Sequence, residues 1–206
     1  MSSVESAYRE GGRVFLDRLP PLLVLGLAAA ATQFVSFGWT GARWILGFAF
    51  AVLVAIPLKW GFSYVCLRAV RGEKPEPRDL LRAFDHYVNV ASAAALVYAM
   101  VLVGLVLLVV PGIYVYCRTR FVPYLITQED LDPIEAIRRS WSMTEDHLGS
   151  ILGISAFGLL LSGVGMLLAG LGMVPAFIWW DLALASYYHA QVESPAVPLV
   201  DPVYAE

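Results

Sequence analysis

Charge is scarce in this sequence. Asp, Glu, Lys and Arg make up 15% of its 206 residues and hydrophobic residues make up 59%, whereas about a quarter of the residues in a soluble domain are charged. The few charges stand in short segments between long uncharged ones, as they do when charge is excluded from hydrocarbon. The composition therefore predicts a membrane protein. Nucleic acid is not expected as a partner, because the formal net charge is −3.

Residues for enzyme chemistry are few as well. The two cysteines, Cys66 and Cys117, lie in apolar surroundings without the close spacing of a zinc or redox motif. No G-x-S-x-G, H-E-x-x-H or Walker-type glycine loop occurs in the sequence. The remaining candidates for a metal site are the three histidines, His86, His147 and His189. Each falls near the end of an expected helix, where a single histidine is ordinary, so we predict no catalytic residue, no metal and no cofactor.

Long apolar runs dominate what is present. A membrane-spanning helix needs about 20 predominantly apolar residues. Five segments approach or exceed that length, and a sixth, 111–126, is shorter. The pattern predicts an all-α fold, a polytopic membrane helical bundle with about six transmembrane segments arranged as three helical hairpins. We assign 1–192 to a single transmembrane helical domain and expect 193–206, which contains several prolines, to be a flexible C-terminal tail. The six segments are 20–37, 44–70, 88–110, 111–126, 148–170 and 173–190.

Lysine and arginine indicate the orientation of these segments. They cluster before the first segment, between the second and third, and after 111–126, whereas the connections 38–43 and 171–172 hold one basic residue, Arg43. Cytoplasmic loops carry an excess of Lys and Arg, so both termini are expected in the cytoplasm. This orientation requires 111–126 either to span the membrane or to re-enter it, and the sequence leaves both open.

The sequence also has a threefold pattern. A short charged, amphipathic stretch precedes each expected hairpin, and the second segment of each hairpin contains a proline at position 57, 111 or 175. The candidate repeats are 1–70, 72–127 and 129–192. The alternative, that any protein built from helical hairpins alternates charged and apolar segments, stays open.

The third amphipathic stretch, 133–144, has a clear helical pattern. Its apolar residues recur at three- and four-residue spacing, and Asp132 can cap the start of a helix. We expect this helix to lie along the cytoplasmic surface of the membrane, with Arg138 and Arg139 turned toward anionic lipid. Trp141 is expected in the headgroup region or against the bundle.

Four charged residues fall inside the apolar segments: Lys59, Arg118, Arg120 and Asp181. A charge at the centre of a bilayer costs about 2.5–3.5 kcal/mol, so such residues normally pair with one another or face water. One interpretation is structural: Asp181 pairs with Lys59 or Arg118 and fixes the register of the hairpins. The other is functional: three bases facing one acid leave positive charge that can bind an anion such as a lipid phosphate. We expect the two arginines to lie against the bundle rather than in lipid.

Several motifs in order resemble a known family. "PGIYVYCRTRFVPYLITQED" is followed by "PIEAIRRSW", then by the glycine-broken "LSGVGMLLAGLGMVP" and a terminal "YYHAQ". Together these resemble an uncharacterised bacterial integral-membrane family related to the membrane domain of glycerophosphoryl diester phosphodiesterases. The resemblance implies a six-helix membrane domain without an assigned activity. In the fused proteins the hydrolase is a separate soluble domain, which has no counterpart in these 206 residues.

These observations lead to three functional hypotheses. The first is a non-enzymatic multi-pass protein of the bacterial cytoplasmic (inner) membrane that acts as a scaffold or accessory subunit, with anionic lipid as a candidate ligand. The second is a small transporter or channel-like subunit with a charged site at the midplane, because transporters use broken helices and charges at that depth. The third is a lipid-modifying enzyme. The expected partners are membrane lipids and a further membrane protein, and the oligomeric state is left open.

Overall fold

The computed structural model describes residues 4–37, 44–167 and 172–193. This part of the chain is almost entirely helical and contains no strand, which confirms the predicted all-α class for the described residues. The tail predicted to be flexible lies, from residue 194 onward, outside them. Twelve α-helices are described: α1 (Val4–Asp17), α2 (Leu19–Phe37), α3 (Trp44–Phe50), α4 (Ile56–Val70), α5 (Pro77–Leu80), α6 (Arg82–Asp85), α7 (Tyr87–Leu107), α8 (Val109–Arg118), α9 (Val122–Glu129), α10 (Pro133–Thr144), α11 (Leu148–Leu167) and α12 (Met173–Glu193).

Prolines stand at the start of several of these helices. Proline lacks a backbone N–H and is tolerated in the first turn of a helix, where that donor would be unpaired anyway. α4, α5, α9 and α10 all begin with a proline in their first two positions. A π-helical turn, Ala51–Ala55, joins α3 to α4 just before Pro57. The predicted segment 111–126 is consequently two short helices, α8 and α9, rather than one.

Within the described ranges, three helical stretches are long and apolar enough to cross a membrane. They are Ile45–Val70, Tyr87–Leu107 and Leu148–Leu167. A fourth is added if the bent pair Val4–Asp17 and Leu19–Thr32, whose axes differ by 101°, counts as one span. α8 has only ten residues, about 15 Å of helix, which is half the thickness of a hydrocarbon core.

The second helices of the three predicted hairpins form the centre of the bundle. α4 packs against both α9 and α12. Aromatic rings join α9 to α12, where Tyr124 stacks on Tyr188 with ring centroids 5.0 Å apart. α2, α7 and α11 lie outside these central helices and contact them. The hydrophobic core is therefore built where three proline-containing segments meet.

The short charged helices pack on the hairpins in a cyclic order. α5 and α6 lie on α4 of the first hairpin, α10 lies on α7, α8 and α9 of the second, and α1 lies on α11 and α12 of the third. Glycine permits the closest approaches, since a Cβ added to Gly61 would come within 2.0 Å of the Leu80 carbonyl oxygen. A Cβ added to Gly11 on α1 would meet the Ala183 backbone nitrogen at 2.9 Å. Each of these short helices packs on the hairpin that precedes it in the chain, and α1 packs on the last hairpin.

Candidate functional site

Two Tyr–Arg pairs at the end of α8 form the centre of the candidate site. The sequence "YVYCRTR" places Tyr114 four residues before Arg118 and Tyr116 four residues before Arg120. Residues four apart on a helix lie on one face, so each arginine can lie over its tyrosine. Positions two apart face different directions, by about 200° on a regular helix. The two arginines therefore meet different parts of the protein.

Arg118 is held by neutral groups. Its Nε and Nη2 donate to the Tyr114 hydroxyl at 3.0 and 2.8 Å, and its Nη1 donates to the Trp141 carbonyl oxygen at 2.8 Å. The guanidinium also lies over both rings, 5.1 Å from the Tyr114 centroid and 5.6 Å from that of Trp141. Arg118 is only 8% exposed. No described carboxylate lies within ion-pair distance of it.

These contacts join α8 to α10. The Ser140 hydroxyl donates to the Arg118 carbonyl oxygen at 2.6 Å, so the backbone of Arg118 is bound by α10 as well as its side chain. The Tyr114 and Trp141 rings meet edge to face, with centroids 6.3 Å apart. Arg118 thus acts as a cross-link between two helices, and most of its hydrogen-bonding capacity is used.

Arg120 has a different environment. Its guanidinium lies between two rings, 5.1 Å from the Tyr116 centroid and 5.1 Å from that of Trp180 on α12. Its nearest carboxylate is Asp181, with Nη2 and Oδ1 3.7 Å apart. That distance is an ion pair without a direct hydrogen bond. The side chains of Arg120 and Asp181 are 15% and 14% exposed.

The predicted partner of Asp181 was wrong. We expected Lys59 or Arg118, and the structure places Arg120 there. Lys59 is exposed on α4 and forms no ion pair with a described acid, although it interacts electrostatically with both Arg120 and Asp181. Arg118 faces α10 instead, because it lies two positions away from Arg120 around the end of α8.

The predicted helix over 133–144 is confirmed. α10 covers Pro133–Thr144, and the Asp132 side chain accepts a hydrogen bond from the Ile134 N–H at its start. Of the two arginines expected to face anionic lipid, only Arg138 is exposed. Arg139 forms a 2.5 Å ion pair with Glu129 on α9. Of its two expected positions, Trp141 takes the one against the bundle.

The three histidines lie in separate settings. His86 Nδ1 is 2.7 Å from an Asp130 carboxylate oxygen. The His147 ring meets the Tyr187 ring edge to face at 6.2 Å, and His189 lies near the end of α12. Within the described ranges, no three His, Cys, Asp or Glu side chains come together in a way that could hold a metal ion.

Sequence reasoning missed the aromatic residues around the arginines. Tyr114 and Tyr116 could have been recognised, because a Tyr four residues before an Arg on a helix is a local pattern. Trp141 and Trp180 could not have been assigned in the same way, since each comes from another part of the chain. Only tertiary packing brings the Trp141 ring of α10 and the Trp180 ring of α12 to the guanidinium groups.

The described part of the chain is all-helical, with three helices long enough for a membrane and with two arginines that lie over aromatic rings. Residues 44–204 match the family described as a domain of unknown function, DUF7847, and the chain belongs to that family. No curated protein and no solved structure gives a significant match. The relationship to the membrane domain of glycerophosphoryl diester phosphodiesterases stays a prediction, because the family match makes no such link.

Proposed function

We propose that this protein is a non-enzymatic, multi-pass protein of the bacterial cytoplasmic membrane that acts as a scaffold or accessory subunit. In this proposal the six segments form three hairpins, both termini are cytoplasmic, and α1, α5–α6 and α10 lie at the cytoplasmic surface. The observation that carries the proposal is the packing of the charges. Arg118 is 8% exposed and occupied by α10, and Arg120 lies against Asp181 between two aromatic rings.

A water-filled transport path would require these charges to face a common aqueous cavity. Their arrangement favours a packed bundle instead, since Arg118 and Arg120 point to different helices. The aromatic rings around Arg118 and Arg120 hold the central helices in register. A packed centre with an apolar surface fits a subunit that organises the membrane or another membrane protein.

A small transporter or channel-like subunit is the second candidate. The observation in its favour is the break between α8 and α9 at residues 119–121, which places Arg120 in a non-helical stretch beside Asp181. Transporter sites use such discontinuous helices. This candidate differs from the scaffold in one testable property, which is the access of water to the centre of the bundle.

The native cysteines test this difference directly. Cys66 on α4 is 0% exposed and Cys117 on α8 is 1% exposed. In sealed proteoliposomes, a membrane-impermeant thiosulfonate reagent should modify neither thiol from either side. Both should react once the protein is unfolded in hot SDS, which serves as the control. Modification of either thiol in the folded, membrane-embedded protein would favour the transporter.

The same reagent tests the topology. Single cysteines at Thr40 and Pro77, each in a background with Cys66 and Cys117 replaced by alanine, should react from opposite sides of the membrane, with Pro77 cytoplasmic. This expectation follows from the Lys and Arg asymmetry of the connections. Reaction of both from one side would contradict the six-segment arrangement.

A further inference from the structure

The Arg120–Asp181 pair has unused hydrogen-bonding capacity. No described side chain or carbonyl accepts a hydrogen bond from the Arg120 guanidinium, and its Nε is buried without a partner. The Nε1 of Trp180, whose ring contacts that guanidinium, is also buried without a partner. Buried donors in folded proteins are nearly always paired. Two unpaired donors at one contact leave hydrogen-bonding capacity for an acceptor from outside the chain.

The net charge of the cluster formed by Lys59, Arg120 and Asp181 points to an anion as the ligand. Lys59, Arg120 and Asp181 interact electrostatically with one another, and Asp181 is the one carboxylate of the described chain that acts on both bases. One positive charge is therefore left over. A phosphodiester carries one negative charge, which matches this excess, and its oxygens accept hydrogen bonds from guanidinium groups in a favourable geometry.

The surroundings give access from the side of the bundle. Lys59 is exposed on α4, Tyr98 on α7 is 47% exposed, and Phe177 on α12 is 38% exposed. The Phe177 ring stacks on that of Trp180 with centroids 6.0 Å apart, and the Trp180 ring contacts the Arg120 guanidinium. Exposed apolar and aromatic surface thus adjoins a partly buried cation. A ligand with an apolar body and a phosphate head fits both features.

We propose that Arg120 and Lys59 bind the phosphate group of an anionic membrane lipid, with Asp181 limiting the affinity and Tyr116 and Trp180 enclosing the guanidinium. The inference rests on the proposed membrane function and assigns its lipid ligand to a site. Arg118 takes no part, because its donors are bound to Tyr114 and Trp141. Because Arg120 and Asp181 carry opposite charges, neutralising each of them should change the affinity for the lipid in opposite directions. A purely structural ion pair would not give this result.

The test uses the full chain in a neutral detergent. Its thermal unfolding temperature is followed by tryptophan fluorescence while short-chain phosphatidylglycerol, short-chain phosphatidylcholine or inorganic phosphate is added. Phosphatidylglycerol should raise the unfolding temperature in a saturable way. Arg120→Gln should raise the half-saturating concentration by about 10- to 100-fold, as expected for hydrogen bonds to a charged group. Lys59→Gln should raise it by a smaller factor, and Asp181→Asn should lower it.

The controls separate this site from general surface charge. Arg78→Gln removes an exposed positive charge outside the cluster and should change the half-saturating concentration by less than about twofold. If Arg120→Gln does not fold, Lys59→Gln and Asp181→Asn still give the opposite shifts that the proposal requires. Equal responses of all folded variants would show that Arg120 and Asp181 form only a structural pair. A response to inorganic phosphate without one to phosphatidylglycerol would overturn the lipid as the source of the phosphate.

Failure of this inference and failure of the proposed function give different results. Shielded Cys66 and Cys117 with no lipid effect would remove the phosphate site and leave the scaffold. Reactive cysteines in the membrane would contradict the scaffold whatever the lipid response.

Discussion

Removal of the Arg118 side chain tests whether a buried cation can hold two helices together without a counter-charge. In Arg118→Met the three hydrogen bonds from the guanidinium to the Tyr114 hydroxyl and the Trp141 carbonyl are lost, together with two ring contacts. Methionine keeps most of the apolar stem. The loss of stability in this variant should therefore measure mainly the polar contacts of Arg118, including the one that joins α8 to α10.

The expected magnitude follows from what happens to the acceptors. The Trp141 carbonyl also accepts a hydrogen bond from the Thr144 hydroxyl at 3.1 Å, and Tyr114 is 40% exposed, so neither oxygen is left fully unpaired. Two acceptors of a charged donor are then worth about 1.5 kcal/mol each. We expect a loss of about 3 kcal/mol in the free energy of unfolding. At about 2–4 °C per kcal/mol this lowers Tm by about 6–12 °C.

A double-mutant cycle isolates the interaction. Tyr114→Phe keeps the ring and removes the hydroxyl, and its loss should be about 1–2 kcal/mol in the presence of Arg118 but close to zero in Arg118→Met. Arg138→Met, an exposed arginine on α10, is the matched control and should stay within about 0.5 kcal/mol. Thermal unfolding in detergent measures all four variants. An Arg118→Met effect no larger than that of Arg138→Met would show that Arg118 does not hold α8 and α10 together. Additive losses in the cycle would show that Arg118 and Tyr114 do not interact.

Two further predictions concern packing around the central helices. Gly61→Ala should destabilise the protein by about 1–3 kcal/mol, because its Cβ would lie 2.0 Å from the Leu80 carbonyl and α5 would have to move away from α4. Gly149→Ala is the control, since its Cβ meets nothing within 4 Å. Equal unfolding temperatures for the two variants would contradict the close approach of α5 to α4. Arg139→Glu should cost about 1–2 kcal/mol, because it sets a second carboxylate beside Glu129, whereas Arg138→Glu should change stability by less than about 0.5 kcal/mol. Equal losses in the same assay would mean that the Arg139–Glu129 ion pair contributes nothing.

The sequence was sufficient for the features that depend on local chemistry. Apolar length predicted the helices, and Asp132 followed by Pro133 predicted the start of α10, because a cap and a first-turn proline act within a few residues. The break inside 111–126 is also local, since Pro123 follows it. A proline in the middle of a helix is costly, and Pro123 avoids that cost because it stands in the first turn of α9.

The partner of Asp181 could not be predicted in this way. Three bases lie in apolar segments, and nothing in their spacing says which of them approaches a carboxylate far along the chain. The choice between Arg118 and Arg120 depends on how the end of α8 is oriented, and the contacts of Arg118 with α10 and of Arg120 with α12 fix that orientation. The same kind of packing brings Arg139 to Glu129. Side-chain pairing of this kind belongs to tertiary structure.

The cyclic packing gives the threefold pattern a physical meaning. Each hairpin presents a face that a short charged helix covers, and for the third hairpin that helix is α1, which comes from the opposite end of the sequence. There the Tyr8 hydroxyl donates to the Ile154 carbonyl at 2.7 Å and Trp179 Nε1 donates to the Tyr8 carbonyl at 3.0 Å. The family match begins at residue 44, so α1 and α2 precede it. The matched part holds Lys59, Arg120 and Asp181 but only two of the three covering helices, and α1 supplies the third.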